Sequence, residues 1–143
     1  MRDVVIVDSV RTGLTKAFRG SFNLTRSDDM LAHCIDSLLD RNPNLSPEEV
    51  EDVVVGAATH AGEQDGNLAR LAVVLSKLPI TVAGVSINRF CSSGLQAIAI
   101  AANQIASGQT EVAIAGGVDS ISMRTRQEPG KAKQNQRLLD EKP

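Results

Sequence analysis

Apolar and polar residues along the chain fall into blocks whose period changes from element to element. Val4-Val5-Ile6-Val7 is a short continuous apolar run, the pattern of a strand buried on both faces of a parallel sheet. Residues 11–23 hold Gly13, Gly20 and several polar side chains and read as a loop. Met30, Leu31, Cys34, Ile35, Leu38 and Leu39 then recur at helical spacing. Thr25 is the expected cap of that helix, with Asp28 placed for its first turn, and Asn42-Pro43-Asn44 is its stop. Ser46-Pro47-Glu48-Glu49 predicts a short helical turn: a cap, a proline at the first position, then acids facing the dipole. Val53-Val54-Val55 predicts a second strand, followed by a loop over 59–66.

Asn67 caps the next helix, which turns Leu68, Leu71, Ala72 and Leu75 inward and is stopped by Pro79. Residues 81–88 predict a third strand. The helix expected over 92–107 carries Leu95, Ile98, Ala99, Ala102 and Ile105 on one face, but Ala97, Ile100 and Ala101 cover much of the rest. A helix apolar nearly all round is buried on several sides. Gly108 ends it. Residues 112–115 predict a fourth strand, and Gly116-Gly117 allows a close backbone approach. Strands alternating with helices give an α/β domain with a mostly parallel sheet, helices on both faces and right-handed crossovers. Beyond Met123 the chain is rich in Arg, Lys, Gln and Glu and is expected to be flexible.

Composition removes several classes of function. The formal net charge is -2, there is no Tyr or Trp, and only three Phe are present, so neither an electrostatic footprint nor stacking platforms for nucleic acid are expected. No apolar run is long enough to cross a membrane. The chain enters its first apolar run within three residues, so no targeting segment is expected. Two cysteines without framework spacing suggest reduced thiols and a cytoplasmic location. No Cys/His cluster has metal spacing.

The candidate chemistry sits at Cys91, where the third strand ends and the apolar helix begins. Orphan N–H groups and the dipole of a helix's first turn favour negative charge, so a thiolate is expected to be stabilised there. Ser92 and Ser93 are candidate caps, and Gly94 leaves room for a ligand or a second chain. A small buried filler is the competing reading of Cys91. Cys34 lies on an apolar stripe and reads as core, and His33 beside it as surface. His60, Glu63 and Asp65 share one loop; that proximity in sequence reads as a solvated loop rather than an acid–base group. Arg19 reads as a solvated or structural arginine.

Asn88-Arg89-Phe90-Cys91-Ser92-Ser93-Gly94-Leu95-Gln96-Ala97 resembles the nucleophile segment of the thiolases, the acyl-CoA C-acyltransferases. Asp8 to Thr12, Phe18 to Phe22, Gly66 to Arg70 and Ala113 to Gly117 resemble further segments of that family, in the same order. In Val118-Asp119-Ser120 an Asp stands where the family usually has Glu. The charge is kept, and little effect is expected.

The resemblance implies the N-terminal half of a thiolase-like fold, with strand order 3-2-1-4 and a fifth strand outside these residues. It divides the chain into an incomplete N-terminal domain at 1–123 and, at 124–143, the start of a loop excursion that helps to bind CoA. Lys131, Lys133 and Arg137 are candidate phosphate contacts there, against the alternative of a solvated tail. Glu141-Lys142-Pro143 ends no helix or strand, so a chain interrupted rather than completed is expected.

By the same resemblance Cys91 is the nucleophile that carries the acyl group as a thioester, with its backbone N–H in an oxyanion hole. Acyl-CoA and CoA are substrates, and no bound cofactor is expected. The family's Gly-His-Pro, Asn-Glu-Ala-Phe and Cys-x-Gly segments, which supply a histidine, an asparagine and a second cysteine, do not occur in these 143 residues. The isolated chain is therefore expected to be inactive, with the C-terminal half as its missing partner and a dimer or tetramer as the full assembly. Two alternatives remain open: a non-catalytic half-thiolase that binds a partner subunit, and a ketoacyl synthase-type condensing enzyme.

Overall fold

A computed structural model describes residues 2–124 and 134–141. Its element order is α1 (Ser27–Arg41), β1 (Asp52–Gly56), α2 (Leu68–Leu75), β2 (Ala83–Ile87), α3 (Ser93–Ser107), β3 (Ala113–Gly117), α4 (Ile121–Arg124) and α5 (Gln136–Glu141), with 3-10 turns at Pro47–Glu49 and Gly62–Gln64. The three strands form a parallel sheet in the order β2-β1-β3. β1 pairs with β2 from Asp52↔Ala83 to Gly56↔Ile87, and with β3 from Asp52↔Ala113 to Gly56↔Gly117. Residues 56, 87 and 117 therefore end side by side, at the carboxyl edge where α/β sheets hold their ligands.

The valine run of β1 explains the layering. Successive side chains of a strand point to opposite faces. Val54 packs with Ala97 and Ala101 of α3, while Val53 and Val55 join Leu31, Ile35 and Leu39 of α1 and Leu68, Ala72 and Val73 of α2. Helices thus cover both faces, as the strand–helix alternation predicts. Each fully buried valine contributes about 1.5–3 kcal/mol, and Val53, Val54 and Val55 are all at most 2% exposed.

The expected first strand is corrected. Residues 2–10 adopt no strand, and Val5, Ile6 and Val7 are 75–81% exposed. The implied order 3-2-1-4 fails with it, because β2 and β3 already occupy both sides of β1 and leave no edge there for residues 4–7. The segment is tied instead at its ends. The Arg2 N–H donates to the Ala106 carbonyl at 3.1 Å, and Asp8 accepts from Arg41 at 2.8 Å and from Asn42 at 3.0 Å.

Several helix ends follow local chemistry. The Asn67 side chain accepts the Arg70 N–H at 3.0 Å, and Gly108 closes α3 in the left-handed region at φ 79°. Ser46 donates its N–H to Glu49 at 2.8 Å, and Pro47 opens the 3-10 turn. Two expectations shift. α1 starts at Ser27 after Arg26, without a side-chain cap from Thr25, and α2 ends at Leu75, ahead of Pro79. Among the described residues, no helix is long and apolar enough to cross a membrane.

Candidate active site

Cys91 lies in the five-residue turn between the end of β2 and the start of α3, and its thiol is exposed. Two glycines, Gly56 and Gly117, bring the start of α3 onto the sheet. A β-carbon on Gly117 would sit 2.7 Å from the Gly56 carbonyl oxygen and 3.0 Å from the Gly94 Cα. One on Gly56 would sit 2.6 Å from the Gly94 amide nitrogen and closer still to the Ser93 carbonyl. Only hydrogen fits at those points, so backbone packs on backbone and the turn rests on the strand ends. Gly116 faces open space and does not share this role.

The turn is held from both sides. Phe90 has φ 49°, a left-handed conformation that costs a non-glycine residue about 1–2 kcal/mol. Asn88 Oδ1 accepts the Phe90 N–H at 2.8 Å. Ser93 Oγ accepts the Arg89 N–H at 2.8 Å and donates to the Phe90 carbonyl at 2.6 Å. Ser92 Oγ donates to the Arg89 carbonyl at 2.9 Å. These bonds correct one expectation: neither serine side chain caps α3. Both face back into the turn and fix the backbone around Cys91.

An open cleft of about 260 Å³ lies over this arrangement. Phe90, Cys91 and Gly94 form one wall, and Gly56, Gly117 and Asp119 line the strand ends. Among the described residues the cleft walls hold no histidine. A thiol at a helix start can act as a nucleophile towards a carbonyl carbon.

The other sequence candidates lie elsewhere. Cys34 is half-buried on α1, where burial pushes its thiol up from the ordinary value against a backbone hydrogen bond from Thr12. His33 and Arg19 are exposed. His60, Glu63 and Asp65 do not converge. His60 Nε2 lies 3.4 Å from the Ile87 carbonyl, Glu63 pairs with Arg26 at 3.0 Å, and Asp65 accepts the neighbouring Gly66 N–H. The expected solvated loop is also corrected, since Glu63 and Gln64 are buried. Arg137 pairs with Asp29 at 2.9 Å in α1, and Lys131 and Lys133 lie outside the described residues.

Gln64 is the residue that the periodicity does not reveal. Its Oε1 accepts from Ser27 Oγ at 2.7 Å and from the Ser120 N–H at 2.5 Å. Its Nε2 donates to the Thr59 carbonyl at 2.7 Å and to Asp119 Oδ1 at 3.1 Å. A fully buried glutamine with all these bonds joins the start of α1, the loop after β1 and the chain after β3. A polar residue inside a loop of polar residues gives no local signal of burial.

Comparison with known proteins gives the family. The family model described as "Thiolase, N-terminal domain" matches residues 4–143. The beta-ketoadipyl-CoA thiolase of Pseudomonas knackmussii is 44% identical over 121 residues, covering 85% of this chain and 30% of that protein. The 3-oxoadipyl-CoA/3-oxo-5,6-dehydrosuberyl-CoA thiolase of Escherichia coli K12 is 43% identical over 122 residues, with the same coverage. The 3-ketoacyl-CoA thiolase of Pseudoalteromonas atlantica is 40% identical over 121 residues, covering 85% of this chain and 31% of that protein. The chain thus spans about 30% of the length of the curated relatives it matches.

Proposed function

The chain belongs to the thiolase family, whose N-terminal domain it carries, and from that premise we propose that the protein moves acyl groups between 3-ketoacyl-CoA and CoA through a thioester on Cys91. The Cys91 thiolate attacks the 3-keto carbon. The bond between C2 and C3 then breaks, its electron pair leaves with the CoA-bearing fragment, and a proton completes the departing acyl-CoA. The acyl group stays on Sγ until the CoA sulfur attacks its carbonyl and Cys91 leaves as thiolate. The reverse sequence condenses two acyl-CoA molecules. Sulfur serves both directions because it is a strong nucleophile and an adequate leaving group. The Cys91 N–H acts as one oxyanion donor; such donors each matter by about 100- to 1000-fold in rate.

The observation that carries this reading is the position of Cys91: exposed, at the head of α3, in a turn seated on the ends of β1 and β3. The relatives' names support this substrate class, since β-ketoadipyl-CoA and 3-ketoacyl-CoA share the keto group that Cys91 would attack. The family's histidine, asparagine and second cysteine belong, in this reading, to the rest of the whole protein, and these 143 residues alone are inactive. CoA is a substrate rather than a bound cofactor, and the free thiols suit the cytoplasm. Leu95 and Ile98 on α3 are 71% and 43% exposed. That apolar face supports a covering partner, the second half of the fold, within a dimeric or tetrameric assembly. The same exposed face also favours a second reading, a non-catalytic half-thiolase bound to a partner subunit.

The test is acyl trapping. The full native polypeptide is mixed with acetoacetyl-CoA without free CoA, quenched in acid and mapped by peptide mass spectrometry. An acyl group on the Cys91 peptide is expected, together with thiolysis once CoA is added. Thiolysis with Cys91 unmodified, or no thiolysis at all, overturns the catalytic reading. In the latter case co-purification of a separate thiolase subunit decides for the second one.

A further inference from the structure

We infer that Asp119 is a positioning residue for Cys91, acting through the backbone of Ala58 and the side chain of Asn88. Asp119 follows β3 and lines the Cys91 cleft, and its carboxylate is used on both oxygens. Oδ2 accepts the Ala58 N–H at 2.7 Å, and Oδ1 accepts from the buried Gln64 at 3.1 Å. A hydrogen bond to an ionised acceptor is stronger than a neutral one, so the peptide at Ala58 is held in one orientation. The Ala58 carbonyl then accepts from Asn88 Nδ2 at 3.1 Å. That bond turns Asn88 so that its Oδ1 receives the Phe90 N–H at 2.8 Å. Phe90 is the left-handed residue immediately before Cys91. Its unfavoured conformation persists only while its surroundings over-determine it.

The chain of contacts therefore runs from Asp119 to Ala58, Asn88, Phe90 and Cys91, and joins three segments far apart in sequence. Released from it, Phe90 is free to return to a negative φ, and the direction of Cys91 changes with it. Asp119 and Asn88 touch no reacting atom in this scheme. They select the backbone state in which the thiol faces the cleft.

The inference rests on Cys91 being the nucleophile, so the test reads sulfur reactivity apart from acyl transfer. In the full native polypeptide, Asp119→Asn, Asn88→Ala and the double variant are compared with wild type. The readout is the rate of iodoacetamide alkylation, resolved by peptide mass at Cys91 and at Cys34, with melting temperature beside it. Each single variant is expected to slow Cys91 at least threefold and to leave Cys34 unchanged. Because both lie on one relay, the double variant should be no more than about twofold slower than the slower single variant. In thiolysis the same loss should fall on kcat, with KM for CoA unchanged.

A single variant that leaves Cys91 within threefold of wild type overturns the inference. So does a double variant whose loss is the product of the two single losses, or a parallel change at Cys34, which marks general loosening. Should Asp119→Asn fail to melt cooperatively, the exposed Asn88→Ala decides alone on the same threshold. A wild type without acyl transfer would remove the catalytic reading and leave the alkylation comparison intact.

Discussion

Gly56 lies directly against the backbone of Ser93: a β-carbon placed on Gly56 would fall inside the contact distance of the Ser93 carbonyl and 2.6 Å from the next amide nitrogen. The neighbour is backbone within a helix start and cannot rotate away. Gly56→Ala is therefore expected to destabilise the protein by about 3 kcal/mol, the upper part of the range for overpacking. It should also lower Cys91 reactivity, because α3 must lift from the sheet. Gly116→Ala is the control. Its β-carbon meets open space, so stability should change by less than about 1 kcal/mol. Urea unfolding of the two variants checks the contrast, and equal midpoints would remove the packing argument.

Phe90 makes a second prediction. The residue is 75% exposed, so its conformation rather than its packing dominates its cost. Asn tolerates the left-handed region and β-branched residues do not. Phe90→Asn should leave stability unchanged or slightly raised, whereas Phe90→Val should lose about 1–2 kcal/mol. Urea midpoints in the opposite order would show that the exposed ring, not the backbone, holds the turn.

How far the sequence could be read depended on the range of each interaction. Asn67 and Gly108 were legible because a cap is a contact within one turn of helix. Val53-Val54-Val55 and Val4-Val5-Ile6-Val7 look alike as apolar runs, yet one is the buried centre of the sheet and the other is exposed. The difference is whether neighbouring strands stand on each side, and no local pattern records that. The place of Cys91, in the turn between a strand and the apolar helix, was legible from the pattern on either side of it. The seat beneath it was not: Gly56 meets Ser93, and Gln64 meets Ser27 and Ser120, across long separations in sequence. Asp119, noted in the sequence only as an Asp in place of the family's Glu, holds the loop after β1 to the chain after β3. The serine caps failed because hydroxyls that suit a helix start suit a tight turn equally well.

Arg26 anchors a buried charge cluster at the start of α1. Its guanidinium makes 3.0 Å contacts with both Asp28 and Glu63, whose side chains are 0% and 6% exposed. Burial works against its charge, but the hydrogen bond and attraction of Asp28, with Glu63 and Asp29 adding to them, hold it above the ordinary value. Removing one partner of such a group leaves buried carboxylates uncompensated. Arg26→Met should cost about 3 kcal/mol, as breaking a buried pair does. The paired change Arg26→Met with Glu63→Gln should recover part of that loss. Denaturant unfolding of the single and double variants measures it, and additive losses would show that the two side chains are not coupled.

Cys34 sets a pH dependence whose sign follows from its surroundings. Burial raises its thiol above the ordinary value, more than the backbone hydrogen bond from Thr12 lowers it. In the unfolded chain the same thiol ionises from about pH 8.5 upward. Above that pH the unfolded state holds fewer protons than the folded one, so stability falls as pH rises towards the folded value. Below it both states are protonated and Cys34 contributes no slope. Cys34→Ala removes the group, and the fall in stability above about pH 8.5 should become shallower than in wild type. The same raised value should leave Cys34 alkylated more slowly than the exposed Cys91 at pH 8. Melting curves across the alkaline range, with peptide-resolved alkylation beside them, measure both. A Cys34→Ala variant with an unchanged alkaline slope, or a Cys34 that alkylates first, would show that the thiol faces solvent rather than the packed side of α1.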